Sequence, residues 1–316
     1  MKNRKSIIIS ISGTILTKNE INLFKYENPW GVILFKRNIK TFKQIKKLIL
    51  DIKKITKDVN YPVLIDEEGG TVSRLTEILD NRLYSQKFFA DIYKKNKKLG
   101  VIFYTNYLFS MCNFLKLLGI NINSVPVLDI LKKRTSSIIG TRSYSSDKNL
   151  INLMGSLCLE IYKECKVGTI IKHIPGHGSA SLDSHKSTPV VNLSSKTLKK
   201  IDFGCFKNKR SFFAMTAHII YSKLDSKNVA THSPYVINKI IRKEMKFKGI
   251  LISDDISMKA LKYDLITNAK KSLNAGCNLV LYCGGKYSES LKLLKKLPYA
   301  DSFTSKKTSE FYKFLS

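Results

Sequence analysis

The chain has 316 residues, 43% of them hydrophobic, and sets 55 basic against 24 acidic side chains for a formal net charge of +31. The apolar share excludes a disordered chain, and the length suits one α/β barrel. The charge invites a nucleic-acid or membrane partner, but it is nearly all lysine, with arginines unclustered and no aromatics interleaved among the basic residues, so neither partner is expected.

The N-terminal "MKNRKSIIISISGTIL" pairs a basic start with a short apolar run, as a secretory signal does. Ser10, Ser12 and Gly13 interrupt the run and no small-residue cleavage site follows, so it reads as a first strand. Apolar, β-branched runs recur at 6–12, 31–35, 62–66, 122–130, 167–173, 212–219, 249–255 and 277–283. Continuous apolar runs are buried on both faces, the habit of parallel sheets. Between them lie lysine-rich stretches of helical period. "TFKQIKKLILDIKKI" puts Phe42, Ile45, Leu48, Ile52 and Ile55 on one face. "LGVIFYTNYLFSMCNFLKLLGI" is broken by Asn106, Asn113 and Lys116 and reads as a buried helix, not a membrane span. "HSPYVINKIIRKEM" starts on Ser233 as N-cap with Pro234 at the first helical position, and "DLITNAKKSLNAG" stops on Gly276. Eight strands alternating with helices predict a single-domain (β/α)8 TIM-type barrel over residues 1–300, with a C-terminal helix or tail over 301–316. The connections after the third and fifth strands are long. The six cysteines are scattered and none forms a C-x-x-C pair, which favours a reducing compartment and a cytoplasmic protein.

Barrel active sites lie at the C-terminal ends of the strands. There the sequence sets Arg37 and Asn38 after the second strand, Asp66 at the third, Asp129 at the fourth, Lys172 and His173 at the fifth, His218 at the sixth, and Asp254 and Asp255 at the seventh. Together they describe one polar pocket. His173 and His177 are four apart, but Pro175 and Gly176 between them preclude a helical zinc pair, and no cysteine cluster supports a site from His173, His177 and His185. No metal and no cofactor is expected. "YCGGK" after the eighth strand lacks the spacing of a phosphate loop and reads as a tight turn. Asp254, held rigidly at a strand end, suits covalent attack on an anomeric carbon or general-base work. Asp183, two residues before His185, is placed to tune that imidazole for acid–base catalysis.

These residues fall in segments that resemble a known family. "KHIPGHGSASLDSH" followed by "TP", "ISDDISMKAL", "IDEEGGTVSRL" and "IGTRSYSSD" are similar, in order, to the signatures of bacterial β-N-acetylhexosaminidases of glycoside hydrolase family 3, the single-domain peptidoglycan-recycling type. "GVILFKRN" and "VPVLDI" resemble further strand-end pieces, so the matches run from about residue 30 to residue 285. The resemblance implies a barrel in which Asp254 is the nucleophile that forms a glycosyl-enzyme intermediate. His185 is then the acid/base, with Asp183 as its partner. Asp66, Arg74, Arg142, Lys172 and His173 are implied to bind an N-acetylglucosamine ring. The implied substrate is a small sugar or muropeptide, N-acetylglucosamine joined to anhydro-N-acetylmuramic acid peptides, and a monomer is expected. The chain departs from the pattern at Glu67, where glutamine is usual, at Thr71 for arginine, Ile174 for phenylalanine and Lys36 for glycine. Some members with the same histidine are phosphorylases, and the motifs do not separate the two reactions. A basic nucleic-acid-binding barrel is the alternative from another class.

Overall fold

The computed structural model describes residues 3–132, 135, 139–180, 184 and 187–316. Its eight long-range parallel strands are β1 (Lys5–Ile9), β2 (Pro29–Leu34), β3 (Val63–Ile65), β4 (Ile122–Asn123), β5 (Gly168–Ile174), β7 (Phe213–Thr216), β9 (Ile250–Asp255) and β10 (Leu279–Tyr282). They close into a barrel in chain order, with β1 paired to both β2 and β10. Each strand falls within or across one of the eight apolar runs. Two short strands, β6 (Val190–Val191) and β8 (Ile220–Tyr221), pair with each other outside the barrel.

The helices form where the sequence signals them. In Phe42–Thr56, Ile45, Leu48 and Ile52 are buried, while the Thr41 side chain accepts from the Gln44 N–H to cap the start. Ser233 Oγ accepts from the Val236 N–H at 3.2 Å, as its N-cap position requires. Leu265–Ala275 ends on Gly276 at φ +115°, a left-handed conformation that glycine adopts without strain. The long connection between β3 and β4 carries two helices, Gln86–Lys95 and Lys97–Leu118. Lys97–Leu118 is long and apolar enough to cross a membrane by length and composition alone. Its Tyr104, Leu108, Met111, Cys112 and Leu115 are buried and pack into the layer between strands and helices, while Ile102, Phe103 and Leu117 stand exposed.

Two apolar layers hold the barrel. The larger lies between strands and helices; the smaller fills the lumen with Ile8, Ile33, Leu64, Ile122, Ile170, Met215, Ile252 and Leu281. Because side chains alternate along a strand, each inward-facing residue is followed two positions later by the next one up the lumen. The inner face therefore climbs from Leu64 to Asp66, Ile122 to Ser124, Ile170 to Lys172, Ile252 to Asp254 and Leu281 to Cys283. The polar pocket begins where the apolar lumen ends.

The opposite mouth is shut by the last helix, Ser302–Leu315. Its fully buried Phe311 meets Phe213 edge-on at 5.0 Å, and Thr308 accepts from the Trp30 indole N–H at 3.0 Å. Arg4 Nη1 donates to Trp30 O at 3.1 Å and to the Tyr312 hydroxyl at 2.8 Å, and Arg4 also pairs with Asp58. Phe311→Ala removes the plug's central ring and should cost about 3–5 kcal/mol of stability. Urea unfolding should show that loss, while the kcat of the folded fraction stays near wild type because Phe311 lies at the far end of the lumen from Asp254.

Candidate active site

The site is a set of buried charges arranged around Glu68. Glu68 Oε2 accepts from Arg142 Nε at 2.8 Å and Oε1 from Arg142 Nη2 at 2.9 Å, a two-pronged fork. Glu68 Oε1 also lies 2.5 Å from Lys172 Nζ. Lys172 Nζ in turn donates to Asp66 Oδ1 at 2.9 Å. Arg74 Nη2 approaches the other oxygen of Asp66 at 3.9 Å. All four members of the core network are buried or nearly so: Glu68 is 4% exposed, Lys172 2% and Arg142 9%. Burial raises the pKa of both carboxyls. The charges of Lys172 and Arg74 outweigh it at Asp66, and those of Arg142 and Lys172 outweigh it at Glu68, so both sit below the ordinary carboxylate range.

His173 extends the network. Its Nδ1 lies 2.6 Å from Asp129 Oδ2, and its Nε2 lies 3.3 Å from Arg142 Nη2. Asp129, fully buried, also accepts from the backbone N–H groups of His173 and, at 2.6 Å, of His177. One carboxylate thus fixes both the ring of His173 and the turn into the "PGHG" segment. Burial drives His177 down to about 4, so it is a neutral ring at physiological pH, with Nε2 3.4 Å from Ser184 Oγ. The turn is tight: a Cβ on Gly178 would fall 2.0 Å from Ile130 O, which only glycine avoids.

The five residues expected to hold a sugar ring, Asp66, Arg74, Arg142, Lys172 and His173, are therefore brought together at one mouth of the barrel. Arg74 arrives there from the loop after β3, and Glu67 folds that loop. The Glu67 carboxylate accepts from Ser73 Oγ and Arg74 N, both at 2.6 Å, from Leu75 N at 2.9 Å and from Asn81 Nδ2 at 3.2 Å. All four partners are donors, so an acceptor-only carboxylate serves them better than the amide usual at this position. Within the same loop a Cβ on Gly69, at φ +77°, would strike Tyr84 O at 2.2 Å. Arg74 and Arg37 both lie over the Phe35 ring, at 5.3 and 4.8 Å from its centre. Arg37 is spent on structure, donating to Ser10 Oγ, Ile11 O and Cys283 O.

Asp254 stands at the end of β9 on the inward face, partly exposed to the pocket. It accepts the backbone N–H of Asp255 at 2.8 Å. Burial raises its pKa, but His218, His173, the Asp255 N–H and Lys172 together hold it below the ordinary aspartate value. His218 is itself driven down by burial. Asp255 is structural: it accepts from Ser257 N and Oγ and from Cys283 N, tying the turn after β9 to β10. His218 sits between Thr231 Oγ1 at 2.7 Å and Asp255 O at 3.1 Å.

Asp183 and His185 lie outside the described residues. Their neighbours are tied to the segment after Asp254: Ser184 O accepts from Ala260 N at 3.2 Å, and Thr188 Oγ1 donates to Ala260 O at 2.8 Å. Glu68 is the member that sequence reasoning passed over. It was visible as the second acid of "EEGG", but nothing in one sequence says that it meets Arg142, 74 positions on. Asp129 and His218 were seen as strand-end residues without a role.

The chain matches the model of the glycosyl hydrolase family 3 N terminal domain over residues 13–307. It is 30% identical over 311 residues to a beta-hexosaminidase of Actinobacillus succinogenes, covering 94% of this chain and 87% of the relative. A beta-hexosaminidase of Haemophilus influenzae is 32% identical over 309 residues, covering 93% and 85%. The fold superposes on NagZ from Neisseria gonorrhoeae in complex with N-trifluoroacetyl-D-glucosamine with a TM-score of 0.87 at 24% identity, covering 99% of this chain and 90% of the other. The chain therefore belongs to glycosyl hydrolase family 3, in the group of its beta-hexosaminidases.

Proposed function

We propose that the protein is a retaining exo-β-N-acetylglucosaminidase that removes terminal N-acetylglucosamine from cytoplasmic peptidoglycan fragments. The observation that carries this reading is the inward, ionised Asp254 facing a network of buried Glu68, Arg142 and Lys172 and the partly exposed Asp66. Asp66, held by two cations, offers its oxygens to sugar hydroxyls. Lys172 and Arg142 donate to hydroxyl and carbonyl oxygens, and Glu68 fixes where both point. Asp254 attacks the anomeric carbon while His185, partnered by Asp183, gives its proton to the leaving oxygen. The same imidazole then takes a proton from water, which releases the sugar with retained configuration. Ser184 and Thr188, which are described, are tied to Ala260, six positions after Asp254. The complex with N-trifluoroacetyl-D-glucosamine in the gonococcal protein supports the ring type. Six free cysteines, five of them buried, support a reducing compartment.

The reading is tested with a nitrophenyl N-acetyl-β-glucosaminide in buffers with and without phosphate. Free N-acetylglucosamine, first formed as the β-anomer in both buffers, is expected; a glycosyl phosphate as the main product would make the protein a phosphorylase. Asp254→Ala should lower kcat by at least about 10³-fold with an unchanged circular-dichroism spectrum, and normal turnover in that variant would sink the assignment.

Glu68→Gln keeps the shape but leaves Arg142 and Lys172 sharing one less negative charge. It should lower kcat/KM by about 10–100-fold, on the order of 1.4–3 kcal/mol, and lower the melting temperature as well. An unaffected kcat/KM would show that Glu68 does not set the cations' positions.

In the pH profile of kcat/KM, activity requires ionised Asp254 and a protonated acid. Because the Asp254 pKa is depressed, activity persists as pH falls and is lost only below the ordinary aspartate value of about 3.9. The alkaline limb follows deprotonation of His185. An acidic limb centred above about pH 5 would contradict the depressed carboxyl.

A further inference from the structure

At the end of the barrel opposite Asp254, a groove of about 740 Å3 opens between the loops that lead into β5, β7 and β9 and the C-terminal helix. Six cations line it: Lys163, Lys209, Arg210, Lys246, Lys248 and Lys307. The acid on its wall, Glu310, is taken by Lys307 at 2.6 Å. Lys209 donates to Asn152 O and Ser156 Oγ, and burial lowers its pKa. Among the described residues, the side chains of Lys163, Arg210, Lys246 and Lys248 have neither hydrogen-bond nor ion-pair partners. Phe212 and Phe314, ring centres 4.8 Å apart, form an apolar wall with Leu159 and Val167. A second recess of about 460 Å3, lined by Arg242 and Phe303, shares Lys248 and Lys307 with the first.

Lysines scattered over a convex surface repel one another and are solvated singly. Here four exposed cations without side-chain partners face one concavity beside an aromatic wall, an arrangement that favours an anionic ligand with an aromatic ring. We infer that this groove binds a nucleoside polyphosphate, with the phosphates among Lys163, Arg210, Lys246 and Lys248 and the base against Phe212 and Phe314. The groove's volume falls in the range of about 300–1,000 Å3 that single small molecules occupy. One aromatic pair, its rings tilted by 43°, offers a base one stacking face, where a single-stranded nucleic acid calls for successive stacking platforms. The inference is independent of the glycosidase reading, since no residue of the groove belongs to the pocket around Asp254.

Isothermal titration of the full chain with ADP, pyrophosphate, adenosine and a ten-nucleotide oligothymidylate tests it, at about 0.15 M ionic strength so that exposed charges are screened. One ADP should bind per chain, at least about tenfold more tightly than pyrophosphate, because the ring adds stacking to the charge. The double variant Lys163→Glu/Lys248→Glu should weaken ADP by more than about tenfold, and Phe314→Ala should weaken ADP but not pyrophosphate. Both variants should keep wild-type glycosidase activity, which reports that they fold. No saturable ADP binding, ADP binding undiminished in the double variant, pyrophosphate matching ADP, or oligothymidylate binding where ADP does not would each overturn the inference.

Discussion

Three buried charges of one neighbourhood, Arg142, Glu68 and Lys172, can exist away from water only because each satisfies the others. An isolated buried charge costs several kcal/mol, so removing any one of them strands its partners. The fork of Arg142 on Glu68 and the bridge of Lys172 from Glu68 to Asp66 fix three donors and acceptors to within a hydrogen bond's tolerance. They do so across the loop after β3, the turn before Lys148–Glu164 and the strand β5. A pocket built this way is preorganised, because its charges already hold one another in place. Lys172 also faces Asp254 and helps to hold that carboxyl below the ordinary aspartate range.

The fold was legible in the sequence because parallel barrel strands are buried on both faces and announce themselves as continuous apolar runs. The strand ends were legible for the same reason: Asp66, Lys172 and Asp254 each break an apolar run from within. Glu68 was not, because its meaning lies in a contact 74 positions away and not in its own surroundings. Asp129 is a similar case. A strand-end aspartate reads as a pocket residue, yet its oxygens are consumed by His173 and His177. Arg74 could be named from its motif, but its position depends on the four donors that Glu67 collects, and a single chain does not reveal which carboxylate organises a loop and which one faces the ligand.

The two acids of "EEGG" divide that labour. Glu67 points into its own loop and Glu68 into the barrel, and Glu67 is pushed upward by burial where Glu68 is held low by cations. Adjacent, identical side chains thus live in opposite electrostatic settings.

The C-terminal helix gives the fold a temporal constraint. Thr308 meets Trp30 and Tyr312 meets Arg4, pairings that span 278 and 308 positions. β1 also cannot complete its pairing until β10 exists. The floor of the lumen is therefore set by residues late in the chain resting on early ones. A nascent chain can collapse around its early strands, but its barrel stays unsealed until the Ser302–Leu315 helix has emerged, and the earliest strands wait with their inner faces uncovered.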